Sequence, residues 1–210
     1  MSGYFCVSGE CERTEIIERS KFICYLKGIE NEEEAKAFIS EIKKKHSLAT
    51  HNCYAYIADE KGLVQKFSDD GEPQGTAGMP MLSVLKNRKI YKTVAVVTRY
   101  FGGIKLGTGG LSRAYGGAVS ECLKEAEISD MQSADLYSVT TDYEGYTKLL
   151  KAKLPEGIKA CGTVFDEKTT TDYIVKNEND SLAADFISKV SEILKGKADI
   201  TKKSSGYYRF

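Results

Sequence analysis

The chain has 210 residues, with 30 Lys and Arg balanced by 30 Asp and Glu, and 41% of it is hydrophobic. That length accommodates two small domains or one large one with its own core, and zero net charge excludes a protein that holds polyanions by bulk basicity. No run approaches the roughly 20 apolar residues a membrane-spanning helix needs, and the amino terminus lacks the basic flank of a secretory signal, so a cytoplasmic protein with no membrane partner is expected.

Ile16, Ile17, Phe22, Ile23 and Tyr25 surround the polar Glu18-Arg-Ser-Lys21, a pattern of two antiparallel strands meeting at a turn. Asn31 then caps a helix with Glu32, Glu33 and Glu34 in its first turn and Lys43, Lys44 and Lys45 in its last. Those charges match the helix dipole at both ends, so they read as helix design rather than as a binding site. His51 to Ile57 alternates as a strand, Leu63 to Phe67 can pair with it, and the polar loop 68–78 leads into a helix carrying Met81, Leu82, Val84 and Leu85. Asp69, Asp70 and Glu72 of that loop, together with His51, form a possible site loop. Loops of this length in compact domains are commonly functional.

Thr93 to Val97 reads as a buried strand, and Leu111, Ala114, Tyr115, Ala118, Val119, Cys122 and Leu123 recur at helical spacing. Between them lies Arg99-Tyr-Phe-Gly-Gly-Ile-Lys-Leu-Gly-Thr-Gly-Gly-Leu-Ser-Arg-Ala-Tyr115, a glycine density that packing alone does not require. A helix opening from such a loop presents free N–H groups and a positive dipole end. The stretch fits neither the dinucleotide fingerprint, since Ser112 stands where the last glycine belongs, nor the phosphate loop of NTPases, since Lys105 precedes Gly107. No Asp or Glu occurs from Pro73 to Ser120, whereas Lys86, Arg88, Lys89, Lys92, Arg99, Lys105 and Arg113 all fall there. The candidate anion or nucleic-acid site is therefore Arg99, Gly102, Gly103, Lys105, Gly107, Thr108, Gly109, Gly110 and Arg113. The alternative is a tight strand-to-helix turn in which the glycines serve packing only. The loops 68–78 and 101–110 are expected to lie side by side.

From Ser133 the pattern is strand, helix, strand, strand, helix, strand, which is the order of a ferredoxin-like unit. The expected domains are 1–128 and 130–210, with the boundary near Ser129. The six cysteines, Cys6, Cys11, Cys24, Cys53, Cys122 and Cys161, never pair as C-x-x-C and are expected to be buried thiols rather than disulfides or zinc ligands.

The stretches Arg99 to Tyr115, Ala49-Thr-His-Asn-Cys-Tyr-Ala-Tyr56 and Asp69-Asp-Gly-Glu-Pro-Gln-Gly-Thr-Ala-Gly78 closely resemble the YigZ/IMPACT family, and the likeness runs over about residues 15–127. The resemblance implies an α+β protein of two α/β-sandwich domains. The first would be like domain two of a small-subunit ribosomal protein, with helices on one sheet face. The second would be ferredoxin-like, as in a domain of elongation factor G. It further implies a link to nucleic acid or the translation apparatus. The eukaryotic members' association with a starvation-response kinase belongs to chains with a different partner domain. A peptidase label found in the family is at odds with only two histidines and no H-E-x-x-H.

Three functions follow. The first is a translation-associated module that binds RNA, the ribosome or a translation factor through the glycine-rich basic loop, with Tyr100, Phe101 and Tyr115 able to stack bases. The second is an enzyme acting on a phosphorylated or anionic small molecule, with Asp69, Asp70 and Glu72 holding Mg²⁺ and His51 or Asp70 as base. The third is a protein-interaction scaffold. No catalytic constellation, resident metal or cofactor is assigned; Arg113 has the further option of pairing with Asp70 or Glu72.

Overall fold

The computed structural model describes residues 3–177 and 180–210. Its elements are β1 (Tyr4–Val7), β2 (Glu10–Ile17), β3 (Ser20–Gly28), α1 (Glu32–Lys45), β4 (His51–Ile57), β5 (Gln65–Ser68), α2 (Gly78–Asn87), β6 (Thr93–Tyr100) and α3 (Gly107–Glu125), followed by β7 (Ile128–Thr141), α4 (Tyr143–Lys151), β8 (Ile158–Phe165), β9 (Thr169–Lys176), α5 (Asp180–Leu194) and β10 (Asp199–Arg209). The protein is therefore of mixed α+β class. The chain divides into two compact units, the first Tyr4–Asp130 and the second containing Met131–Phe210.

In the first unit the strands lie in the order β2-β3-β6-β4-β5, and each neighbouring pair is antiparallel. Side chains alternate across a strand, so each strand feeds two faces. Phe22, Cys24, Leu26, Cys53, Ala55, Ile57, Ala95 and Val97 point to the face covered by α2 and α3. Ile23, Tyr25, Tyr56, Val94 and Val96 point to the other, where α1 lays Ala35, Phe38, Ile39 and Ile42. Helices thus cover both faces of the sheet, not one as the resemblance implied. The reason is visible in β6, whose residues Thr93 to Arg99 are all buried: a central strand with apolar side chains on both faces needs a cover on each.

α1 has the expected ends. Asn31 accepts a hydrogen bond from the Glu34 N–H at 2.9 Å, and the acidic and basic turns stand where the dipole favours them. Its last turn does more than match a dipole, however: Lys43 pairs with Asp70 at 2.6 Å and Lys45 with Glu12 at 3.3 Å. The pairing strand after residue 57 is shorter and later than expected, since Leu63 is 75% exposed and the ladder begins at Gln65.

In the second unit the strands order as β10-β7-β9-β8, all antiparallel. Tyr137, Val139, Tyr173 and Val175 meet Leu149 of α4 and Phe186, Val190 and Leu194 of α5. The edge strand β8 is largely exposed, which puts Cys161 in solvent; Cys6 and Cys11 are half-buried, and only Cys24, Cys53 and Cys122 are buried as expected of all six. Among the described residues no helix is long and apolar enough to cross a membrane.

Candidate anion-binding site at the start of the long helix

β6 ends by placing Arg99 beside both neighbouring strands, opposite Phe22 of β3 and His51 of β4. The chain then passes under the turn between β2 and β3, where Glu18 and Arg19 take positive φ. Ser20 Oγ accepts from the Gly102 N–H at 3.2 Å and from Arg99 Nη2 at 3.3 Å, and Thr50 Oγ1 accepts from the Phe101 N–H at 3.0 Å. A Cβ on Gly102 would lie 2.0 Å from the Arg19 backbone. That glycine is thus required by packing.

Most glycines beyond it differ, Gly110 excepted, where a Cβ would lie 2.9 Å from Leu106 Cβ. Gly103 and Gly107 take positive φ with open space around them, and a Cβ on Gly109 would meet only the end of the Arg113 side chain, at 3.5 Å. α3 begins at Gly107, so Gly107, Thr108, Gly109 and Gly110 form its first turn rather than a loop before it. Among the described residues no side chain caps this end, and no acid lies in the first turn. Its first N–H groups therefore face outward at the positive end of a helix dipole. Lys105, Arg113, Gly110, Ile104, Ile17 and Glu18 line a cleft of about 430 Å³ beside it. Among the described residues, neither Lys105 nor Arg113 has a carboxylate within ion-pair distance, although Glu18 stands in the same cleft.

Arg99 departs from expectation. It is 5% exposed, its Nη1 donates to Glu72 Oε1 at 2.7 Å, and its guanidinium lies 5.4 Å from the ring centroids of both Phe22 and Phe101. It cannot reach a polyanion outside; its part is to hold the loop 68–78 against the end of β6. Tyr115 likewise cannot stack a base. It is fully buried and donates to the same Glu72 Oε1 at 2.7 Å, and burial pushes its phenol far above the usual range. Of the three aromatic candidates, Phe101 is 46% exposed, whereas the Tyr100 hydroxyl bonds His46 Nδ1 at 2.9 Å.

The loop 68–78 is closed on itself. Asp69 accepts from the N–H groups of Gly75, Ala77 and Gly78 at 2.8 to 3.0 Å and so caps α2. Asp70 accepts from Lys43 Nζ and from the Asn52 N–H at 2.6 and 2.7 Å. Glu72 is taken by Arg99 and Tyr115. The three carboxylates thus diverge instead of converging on a cation. Among the described residues no group of three or more His, Cys, Asp or Glu is arranged to hold a metal. His51 Nδ1 donates to the Asp70 carbonyl at 2.8 Å, leaving Nε2 3.8 Å from Glu72 Oε2. Cys53 donates to the Asp69 carbonyl at 2.9 Å, and burial pushes its thiol up to about 12. Arg113 pairs with neither Asp70 nor Glu72, whose partners lie elsewhere. Glu72 of the loop 68–78 reaches Arg99 and Tyr115, which flank the segment 101–110 and do not belong to it. Ser20, Thr50 and Glu18 were not legible as site residues, because isolated polar residues at strand ends carry no pattern.

The geometry defines a two-unit α+β protein whose first unit matches the Impact N-terminal domain over residues 18–123. Over 208 residues the chain is 40% identical to "IMPACT family member YvyE" of Bacillus subtilis, covering 99% of this chain and 94% of that one. It is 42% identical over 135 residues to "IMPACT family member YigZ" of Escherichia coli, 63% of this chain and 66% of that one. A solved structure titled "Crystal structure of an hypothetical protein" superposes with a TM-score of 0.60 at 30% identity, covering 97% of this chain and 98% of that one. The chain belongs to the IMPACT family.

Proposed function

We propose that this protein is a cytoplasmic, translation-associated RNA-binding module that takes phosphates at the amino-terminal end of α3. The observation that carries this reading is the 19-residue helix α3, which among the described residues opens on Gly107-Thr-Gly-Gly110 with neither cap nor acid, beside Lys105 and Arg113 that have no ion pair there. Helix N-termini of this kind favour phosphate, and exposed Phe101 adds an aromatic surface beside the glycines. The strand order β10-β7-β9-β8, with α4 and α5 in β-α-β crossovers, supports reading the second unit as ferredoxin-like and as the part that docks on the ribosome or a translation factor. The enzyme reading draws less support, because Asp69, Asp70 and Glu72 are each engaged by protein groups.

Fluorescent single-stranded RNA titrated across a salt series tests the proposal. Affinity should fall with salt, and Lys105→Ala and Arg113→Ala should each lower the slope by about 0.7, the value of one phosphate contact on a single strand. Gly109→Val should weaken binding without changing charge, since its side chain would cover the N–H groups. Lys61→Ala, in an exposed turn, is the control. No affinity at low salt, or equal losses for Lys105→Ala and Lys61→Ala, would leave the glycines as structure only.

A further inference from the structure

The lysines of α1 converge on a second concavity that charge patterning along the helix conceals. Lys36, Lys43 and Lys44 lie on one flank of α1, at spacings of seven and eight residues, and Lys66 faces them from β5. Lys66 sits opposite Tyr56 in the β4–β5 ladder, so both point to the same side of the sheet. Because α1 packs over β3, β6 and β4, the β5 edge is left uncovered, and a cleft of about 470 Å³ opens between them. Tyr54 and Tyr56 form its wall, with their rings 6.3 Å apart and within 8° of parallel.

Among the described residues no carboxylate lines this cleft. Two of its four ammonium groups are balanced from outside the lining, Lys36 by Glu32 at 3.1 Å and Lys43 by Asp70 at 2.6 Å. Lys44 and Lys66 form no ion pair among the described residues. Like charges directed into one concavity with an aromatic wall raise the local concentration of anions. A cleft of this size fits a small molecule better than a polymer, being near the low end of ligand sites. We propose that it binds a nucleoside phosphate, the phosphates held between Lys44 and Lys66 and the base lying against Tyr54. The ring wall argues for a planar aromatic group as well as charge, which neither a bare phosphate nor an acidic side chain supplies. This site is on the α1 face of the sheet, opposite the face that carries α3, and does not depend on the RNA reading.

The test is NMR titration of the full chain with ADP, inorganic phosphate and adenosine in parallel. ADP should shift the resonances of Lys44, Tyr54 and Lys66 and bind at least about tenfold more tightly than either fragment. Lys66→Ala and Lys44→Ala, both at exposed positions with no ion pair among the described residues, should each weaken ADP by about tenfold, the scale of one charge-assisted hydrogen bond. Tyr54→Leu should bring ADP down to the affinity of inorganic phosphate. The proposal is overturned if ADP binds no better than phosphate, if Lys44→Ala and Lys66→Ala leave its affinity unchanged, or if the shifts centre on Gly107 to Gly110, which would instead place the nucleotide at the start of α3.

Discussion

α2 and α3 both open from polar, glycine-rich segments, yet the two openings have opposite characters. At α2 the chain supplies its own anion: Asp69 reaches back to the N–H groups of Gly75, Ala77 and Gly78. At α3 it supplies none among the described residues, and the two cations beside the first turn have no carboxylate within ion-pair distance among them. A helix N-terminus satisfied by an internal carboxylate has no use for an external phosphate, whereas an uncapped one of similar composition remains available. Glycine content alone does not separate the two, and the position of a carboxylate does.

Breaking the closed loop should produce the largest effect. Glu72→Ala leaves the Arg99 guanidinium and the Tyr115 hydroxyl buried without their shared partner, which should cost about 3–5 kcal/mol. Urea denaturation followed by circular dichroism measures it, and a loss below about 1 kcal/mol would mean that the network contributes little to folding. Within the open segment the glycines should divide. Gly102→Ala meets the Arg19 backbone and should destabilise by about 1–3 kcal/mol, while Gly109→Ala, in open space, should stabilise by up to about 1 kcal/mol through helix propensity. If both variants shift the urea midpoint in the same direction, the distinction drawn between these glycines fails.

Removing the internal cap should cost less than breaking the ion pair. Asp69→Ala should destabilise by about 1–2 kcal/mol, and it should also make the start of α2 resemble that of α3. Faster amide exchange at Ala77 and Gly78, with exchange in α3 unchanged, is the expected signature. The smallest effect should come from acid. His46 joins Tyr25 and Tyr100, the latter just before the open glycine segment, and burial together with the Lys45 ammonium holds its imidazole below the usual 6.5. The unfolded chain therefore binds this proton first as the pH falls. The contribution of neutral His46 is present above pH 6.5 and is lost as the pH drops below it. Stability measured between about pH 7 and 5 should decline, and His46→Gln should remove part of that slope.

Much of this protein is determined by its sequence. The hydrophobic period places β4 and α1 within a residue or two of where they stand and finds β3, β6 and α3 with one end three or four residues short, because alternation and 3.6-residue spacing are local properties of one segment that glycine and polar ends interrupt. Asn31 marks its helix start for the same reason, since a cap reaches only three residues along the chain. The glycine stretch likewise identifies itself by density. What the sequence leaves open is how partners across the chain are shared. Asp69, Asp70 and Glu72 read as one acidic cluster, but they serve a helix start, a lysine of α1 and a buried arginine 27 residues away. Arg99 and Lys105 read as equals flanking the glycines, and only the packing of β6 between β3 and β4 buries the first and leaves the second in solvent. The lysines of α1 match a dipole in sequence; the exposed edge of β5 turns them toward Lys66 and the tyrosines. Local periodicity sets the elements because its range is a few residues, whereas burial and ion pairing depend on neighbours that only the folded sheet brings together.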